Sequence, residues 1–204
     1  MFELLSKGGV LMYPIFLCSI VALAIFLERV ITFARMKSRG GKLAETVATL
    51  IGKNKSKEAE ELSFQNDSPM GRMLTQAMEV KDRDRETLES VIVNSIEGEV
   101  RTLSTYLQAL ATIGNIAPLL GLLGTVMGMI KAFMIIQEMG GKVNAAVLAG
   151  GIWEAMLTTA FGLAVALPTM CAHSYLVARI DTYEARLQNG AVTFIKAITQ
   201  KPGE

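Results

Sequence analysis

An acidic residue inside a long apolar stretch is the clearest candidate for chemistry in this chain. Glu154 is the single formally charged residue within residues 145–178. At about 1.5 Å per helical residue it would lie roughly 15 Å into a bilayer, counted from residue 144. A carboxylate at that depth is costly unless it faces water or polar groups, so such residues are typical of ion and proton pathways. The alternative is a neutral glutamate that holds two helices together through a hydrogen bond.

Three threonines supply the other polar groups of interest within apolar stretches: Thr125, Thr158 and Thr159. A single threonine in a helix commonly bonds back to its own backbone, which is a structural role. Together with Glu154, however, the three hydroxyls predict a sparse polar lining on an ion pathway. Pro118 and Pro168 lie in the same stretches and are predicted to kink their helices.

Other kinds of site find little support in the residues. His173 is the only histidine and has no second ligand at metal-binding spacing, so no metal or other cofactor is predicted. Cys18 and Cys171 lie in apolar runs, where a thiol acts as a small buried hydrophobe, and neither is predicted to form a disulfide. The formal net charge is +1 without a clustered basic face, so no nucleic-acid partner is expected.

Three membrane spans must position the polar residues. Residues 10–27 are uncharged and long enough to cross a bilayer core of roughly 30 Å. Two further spans are predicted at residues 109–136 and 145–178, with Lys131 near the end of the earlier one, where its stem can reach the interface. An alternative for the first span is a secretory signal peptide cleaved near residues 22–24.

The two later spans carry seams of small residues at steps of three and four. The seams are Gly114, Ala117, Gly121, Gly124, Gly128 and Ala132 in the second span, and Gly151, Ala155, Thr159, Gly162 and Ala166 in the third. Helices in lipid associate through such faces because small residues allow close backbone packing. Two seams exceed what one hairpin would use, so we expect a homo-oligomer; packing within one chain is the alternative.

The distribution of lysine and arginine predicts the orientation. Seventeen of the 20 lie in residues 29–108 or after residue 178, and such residues are retained on the cytoplasmic side. We therefore expect a periplasmic N-terminus and a cytoplasmic C-terminus. The predicted regions are residues 1–28 (N-terminus and first span), 29–108 (cytoplasmic helical loop), 109–136 (second span), 137–144 (periplasmic turn at Gly140-Gly141), 145–178 (third span) and 179–204 (cytoplasmic C-terminal helix).

The loop is predicted to contain short helices near residues 43–51 and 57–64, followed by a turn at residues 66–69. From about Asp84 apolar residues recur at helical spacing without a breaker into the second span, so one long helix is expected there: Leu88, Ile92, Ile96, Val100, Leu103, Leu107 and Leu110. A similar stripe continues the third span: Ile180, Tyr183, Leu187, Ala191, Phe194 and Ile198. We expect these stripes to pack together in a bundle.

Residues 117–128 (APLLGLLGTVMG) and 151–168 (GIWEAMLTTAFGLAVALP) closely resemble the two signature spans of the ExbB/TolQ/MotA proton-channel family. Leu27-Glu28-Arg29 and the overall layout extend the resemblance more loosely to the first span and the loop. Trp153, Met127 and Lys131 depart from the residues expected in the best-known members. These departures bear on which partner protein the chain binds more than on the mechanism.

The resemblance implies an all-α protein of the bacterial inner membrane that forms a pentameric helical shell. Its second and third spans would enclose a pore holding ExbD/TolR-type single-span partners, each with a membrane aspartate that carries the proton. Thr125 and Thr159 match the family's pore threonines, and Glu154 matches its span-three glutamate. Proton passage would rotate the partner helices and pass force to a TonB- or TolA-type periplasm-spanning protein.

The sequence leaves several functions as alternatives. Three spans rather than four argue against a flagellar MotA stator. ExbB-like and TolQ-like chains share these motifs, and we favour an ExbB-like role. A small-molecule carrier would need internal repeats and a binding site at broken helices, and no repeat is present. A non-conducting membrane scaffold would make Glu154 a packing residue. An enzyme is not expected, because no nucleophile, base and orienting group come together.

Overall fold

The computed structural model describes residues 9–37, 42–139 and 145–199. This part of the chain is helical and contains no strand, as the all-α prediction requires. Its helices, in chain order, are α1 (Met12–Lys37), α2 (Leu43–Gly52), α3 (Ser56–Gln65), α4 (Pro69–Glu79), α5 (Arg85–Leu103), α6 (Leu107–Glu138) and α7 (Ala145–Thr199).

Three of these helices are long and apolar enough to cross a membrane, in agreement with the three predicted spans. The qualifying segments are Met12–Ala34 in α1, Leu107–Glu138 in α6 and Leu148–Thr199 in α7. Pro118 and Pro168 both lie inside continuous helices. The turn predicted at Gly140-Gly141 lies outside the described residues.

The described residues form two compact units. The first, here called the membrane unit, comprises residues 9–28, 106–139 and 145–175. The second, here called the polar unit, comprises residues 29–37, 42–105 and 176–199. Helices α1 and α7 contribute to both units, since each is an uninterrupted helix that runs past the boundary.

The polar unit is built around an apolar core contributed by α2, α3, α4, α5 and the C-terminal part of α7. The core contains these side chains: Leu43, Ala44, Val47, Ile51, Ala59, Met70, Met73, Leu74, Ala77, Met78, Leu88, Ile92, Ile96, Leu187, Ala191 and Phe194. Both apolar stripes predicted from the sequence contribute to it. The expectation that they pack together is therefore confirmed.

Local signals explain where the short helices begin. Ser68 caps α4, since its hydroxyl accepts a hydrogen bond from the Gly71 backbone N–H at 3.1 Å, and Pro69 occupies the first helical turn. Asp84 caps α5, accepting from the Thr87 backbone N–H at 2.9 Å and from its hydroxyl at 2.8 Å. These hydrogen bonds hold the pKa of the Asp84 carboxyl below its usual value.

The loop predictions were confirmed in part. Helices α2 and α3 occupy the places predicted near residues 43–51 and 57–64. Helix α4 was missed, although a Ser-Pro start followed by apolar residues at helical spacing was readable in the sequence: Met70, Met73, Leu74, Ala77 and Met78.

The prediction of one unbroken helix from about Asp84 into the second span was wrong. Helix α5 ends at Leu103, and α6 begins at Leu107 after Tyr106, whose φ of 65° lies in the left-handed region. The hydroxyls of Ser104 and Thr105 bond to nearby backbone carbonyls. Such bonds compete with regular helix hydrogen bonding and mark the interruption that the apolar stripe concealed.

A buried arginine completes the end of α5. The Arg29 guanidinium donates to the carbonyl oxygens of Thr102 at 3.2 Å and Leu103 at 3.3 Å, and this side chain is buried. The last carbonyls of a helix lack intrahelical partners, and a cation there is also favoured by the helix dipole. Arg29 therefore stabilises the point where the predicted helix breaks.

Candidate functional site

The site is built on the close approach of α6 and α7 within the membrane unit. A Cβ atom added at Gly162 would lie 2.6 Å from the Ala117 carbonyl oxygen, and one at Gly128 would lie 3.0 Å from the Ala155 Cβ. These positions have no room for a side chain, so the backbones of the two helices are almost in contact. The predicted packing role of the small residues is consistent with this geometry.

The two seams pack against each other within one chain. All the small residues of the second-span seam are buried: Gly114, Ala117, Gly121, Gly124, Gly128 and Ala132. A Cβ added at Gly151 would meet the Ala132 Cβ at 2.7 Å, so the far end of the third-span seam faces the same partner. The argument that two seams exceed what one hairpin uses was therefore wrong, and they do not by themselves indicate an oligomer.

Thr159 links the two helices by a hydrogen bond. Its hydroxyl donates to the Gly121 carbonyl oxygen at 2.8 Å. In a regular helix the Thr125 backbone N–H approaches the same carbonyl, because hydrogen bonds join residues four apart. The structure thus brings Thr159 and the Gly121–Thr125 turn together.

The hydroxyls of Thr125 and Thr158 each donate to a carbonyl oxygen of their own helix. Thr125 donates to the Leu122 carbonyl oxygen at 2.6 Å and is partly exposed. Thr158 is buried and donates to the backbone carbonyl oxygen of Glu154 at 2.7 Å. These are the bonds to their own helix backbone that threonines commonly make, whereas the Thr159 hydroxyl bonds across to α6.

Glu154 has a partner that the sequence reasoning missed. The Lys131 ammonium on α6 lies 3.2 Å from the Glu154 Oε2 atom on α7. The sequence predicts that the Lys131 stem reaches the interface, and that prediction did not include a carboxylate partner. The sequence does contain a signal for this pair: residues 109–136 carry one formal charge, Lys131, and residues 145–178 carry one of opposite sign, Glu154.

A glycine just before α1 also meets this carboxylate. Gly9 has a φ of 73°, and a Cβ atom added there would overlap the Glu154 Oε1 atom. A side chain at residue 9 would be both conformationally strained and sterically blocked. Glu154 of α7 thus lies close to Lys131 of α6 and to Gly9, just before α1.

The two departures from the family pattern beside Glu154 and Thr125 point outward. Trp153 is 59% exposed and Met127 is 56% exposed, so neither fills the contact between α6 and α7.

Cys171 is also exposed, which corrects the expectation that both thiols would be buried; Cys18 is partly buried. Among the described residues, no group of three His, Cys, Asp or Glu side chains is placed to hold a metal ion.

Residues 65–189 match the sequence profile of the MotA/TolQ/ExbB proton channel family. The chain belongs to this family. The matched segment contains every polar residue of the α6 and α7 site, and the resemblance noted in residues 117–128 and 151–168 is confirmed. The MotA/TolQ/ExbB family is a transport and channel family rather than an enzyme family.

Relatives named ExbB support the same assignment. The chain is 31% identical over 188 residues to biopolymer transport protein ExbB of Salmonella typhimurium, covering 86% of this chain and 75% of the relative. It is 28% identical over 190 residues to biopolymer transport protein exbB1 of Vibrio cholerae, covering 92% and 83%. An ExbB homolog of Methanothermobacter thermautotrophicus is 32% identical over 181 residues, or 88% of this chain, which spans only 63% of that relative.

Proposed function

We propose that this ExbB-like membrane protein is the shell subunit of a proton-driven motor in a bacterial inner membrane. In this proposal, a pentamer encloses an ExbD/TolR-type single-span partner, and proton passage moves that partner to energise TonB-dependent transport. Thr125, Thr158, Thr159 and Glu154 belong to the ion pathway. The observation that carries the proposal is their concentration on the α6 and α7 pair of a chain matching a proton channel family over residues 65–189.

The outer surface of α6 leaves room for lipid or for neighbouring subunits. Large apolar side chains on this helix are exposed although the small seam is fully used: Leu119, Leu122, Val126, Met127, Phe133 and Met134. These side chains are available to lipid or to neighbouring subunits.

In the proposed topology the N-terminus is periplasmic, whereas residues 29–108 and 179–204 are cytoplasmic, as the lysine and arginine distribution favours.

The composition of the native complex tests the proposal first. The protein is purified gently from its own membranes, its native mass is measured, and every co-purifying subunit is identified. A pentamer with a single-span partner bearing a periplasmic domain is expected. A TonB-type third component supports the ExbB-like role, whereas a TolA-type component assigns the chain to the TolQ-like alternative. A monomer or dimer without such a partner contradicts the proposal.

A proton-flux measurement tests the ion pathway itself. In liposomes containing the full complex, an imposed proton gradient should produce proton flux, and Glu154→Gln should reduce both this flux and energised transport while the complex still assembles. Glutamine has nearly the same volume, and its amide oxygen can still accept a hydrogen bond from Lys131, whose side chain is 64% exposed, so loss of assembly is not expected. Absence of flux in the wild type would favour a non-conducting scaffold.

A further inference from the structure

The membrane unit contains few charged side chains. Within residues 9–28, 106–139 and 145–175 the acids are Glu28, Glu138 and Glu154, and the only lysine or arginine is Lys131. Its ammonium lies 3.2 Å from one carboxylate oxygen of Glu154, and their side chains are 64% and 26% exposed, respectively. Within a membrane-spanning unit an ion pair costs less than two separate charges, because each ion partly replaces the solvation of the other.

The surroundings of Glu154 leave its two oxygens in different positions. Oε2 faces the Lys131 ammonium, whereas Oε1 faces Gly9. The nearby Thr158 hydroxyl is used by the Glu154 backbone carbonyl. Among the described contacts, the ammonium is therefore the only hydrogen-bond donor to the carboxylate.

A nearby ammonium changes which cations this carboxylate can accept. A sodium ion bound to Glu154 would lie within a few ångström of the Lys131 charge, and like-charge repulsion at that distance is strong where the effective dielectric constant is low. A sodium ion needs several oxygen ligands, and beside a carboxylate side chain that is 26% exposed, water can supply those that the protein does not. The ammonium is therefore the group that opposes sodium binding. A proton needs one oxygen only and adds no bulk, so it can bind at an oxygen that faces Gly9.

We infer that Lys131 is an ion-specificity residue, which acts as a tethered counter-cation of Glu154 and excludes sodium and other alkali-metal ions from it. This inference rests on the proposed function, because that proposal places Glu154 on the ion pathway. It gives a role to Lys131, the only lysine or arginine among the described residues of the membrane unit.

Carboxyl labelling tests the inference on the intact complex. Dicyclohexylcarbodiimide modifies protonated carboxyl groups, and its adduct at Glu154 is followed by mass spectrometry in sodium chloride and in choline chloride. The wild type should label at the same rate in both salts. In Lys131→Met sodium should compete, so labelling slows roughly tenfold when sodium is at about ten times its dissociation constant, the factor that mass action gives.

Matched variants make each outcome decisive. Lys131→Arg keeps the cation and should stay insensitive to sodium, whereas Glu154→Gln should lose the adduct and identify the labelled group. Sodium insensitivity in Lys131→Met, or slower wild-type labelling in sodium, overturns the inference. The wild-type arm needs no variant, and Lys131→Gln replaces Lys131→Met if that protein does not assemble. Undiminished proton-driven transport in Glu154→Gln refutes the proposed function instead.

Discussion

Thr159 is the threonine at the site whose hydroxyl leaves its own helix. It bonds to the Gly121 carbonyl oxygen of α6, whereas the hydroxyls of Thr125 and Thr158 bond within their own helices. An interhelical hydrogen bond in a membrane contributes about 0.6–2 kcal/mol. At the scale of single residues, Thr159 thus combines a structural role with its proposed place on the ion pathway.

Substitution separates these two roles. Thr159→Val keeps the shape of the side chain but removes the donor, so we expect a destabilisation of about 1 kcal/mol, measured by thermal unfolding of the purified complex. We also expect impaired energised transport with assembly intact. Thr159→Ser retains the hydroxyl and serves as the control. Full transport activity in Thr159→Val would remove this residue from the proposed pathway.

Residue types alone indicated Glu154 and the threonines, but not their partners. The sequence predicted that a carboxyl group lay inside a span, because its apolar surroundings can be read directly. The Lys131 pairing depends on the rotation of α6 relative to α7, which brings residues 23 positions apart into contact. Periodicity within one helix carries no information about that rotation.

At the scale of helices, the contact between α6 and α7 depends on Gly162, whereas Gly150 of the same helix lies outside that contact. A Cβ atom at Gly162 would lie 2.6 Å from the Ala117 carbonyl oxygen and 3.1 Å from the Gly121 Cα. These are backbone atoms, which cannot rotate away. Gly150, on the same helix, has nothing within 4 Å of an added Cβ.

This difference predicts opposite effects of the same substitution. Gly162→Ala should separate α6 from α7 and destabilise the protein by about 1–3 kcal/mol, the range for overpacked sites. Gly150→Ala should leave stability unchanged or raise it slightly, because alanine favours helix more than glycine does. Melting temperatures and yields of the two variants provide the comparison. Equal losses in both would contradict the seam packing described above.

The small residues also show what an element-level pattern can establish. Their spacing predicted close helix packing, yet we expected the two seams to exceed what one hairpin uses, whereas they pack against each other within one chain. The pattern marks the face of a helix that is used, because small residues there allow close approach. It does not identify the helix that covers this face, since every seam of this kind looks alike in sequence.

At the scale of the whole molecule, the polar unit needs residues far apart in the chain to close its core. Leu187, Ala191 and Phe194 from the end of α7 join a core otherwise made by residues 43–96. Phe194 is fully buried, whereas Val192, two positions earlier, is 50% exposed. The C-terminal part of α7 is therefore a component of the unit's core.

Phe194→Ala tests this dependence. Loss of a fully buried phenylalanine side chain typically costs about 3–5 kcal/mol through lost burial and the cavity left behind. We expect faster amide hydrogen exchange throughout α2 to α5, measured by mass spectrometry. The control Val192→Ala should leave that exchange close to wild type. Faster exchange confined to α7 itself would show that the other helices close their core independently.

The sequence by itself determined the helical class, the three apolar spans, the family and the polar residues of the site. The class, the spans and the polar residues depend on local composition or on periodicity along a single helix, which burial in lipid or in a core imposes directly. The family was recognised from the motifs in residues 117–128 and 151–168. Tertiary structure alone decided the Lys131–Glu154 pair, the Thr159–Gly121 bond, the mutual packing of the seams and the capping of α5 by Arg29. These features arise from the relative rotation and register of separate helices, where geometry in space selects one partner among many chemically equivalent groups.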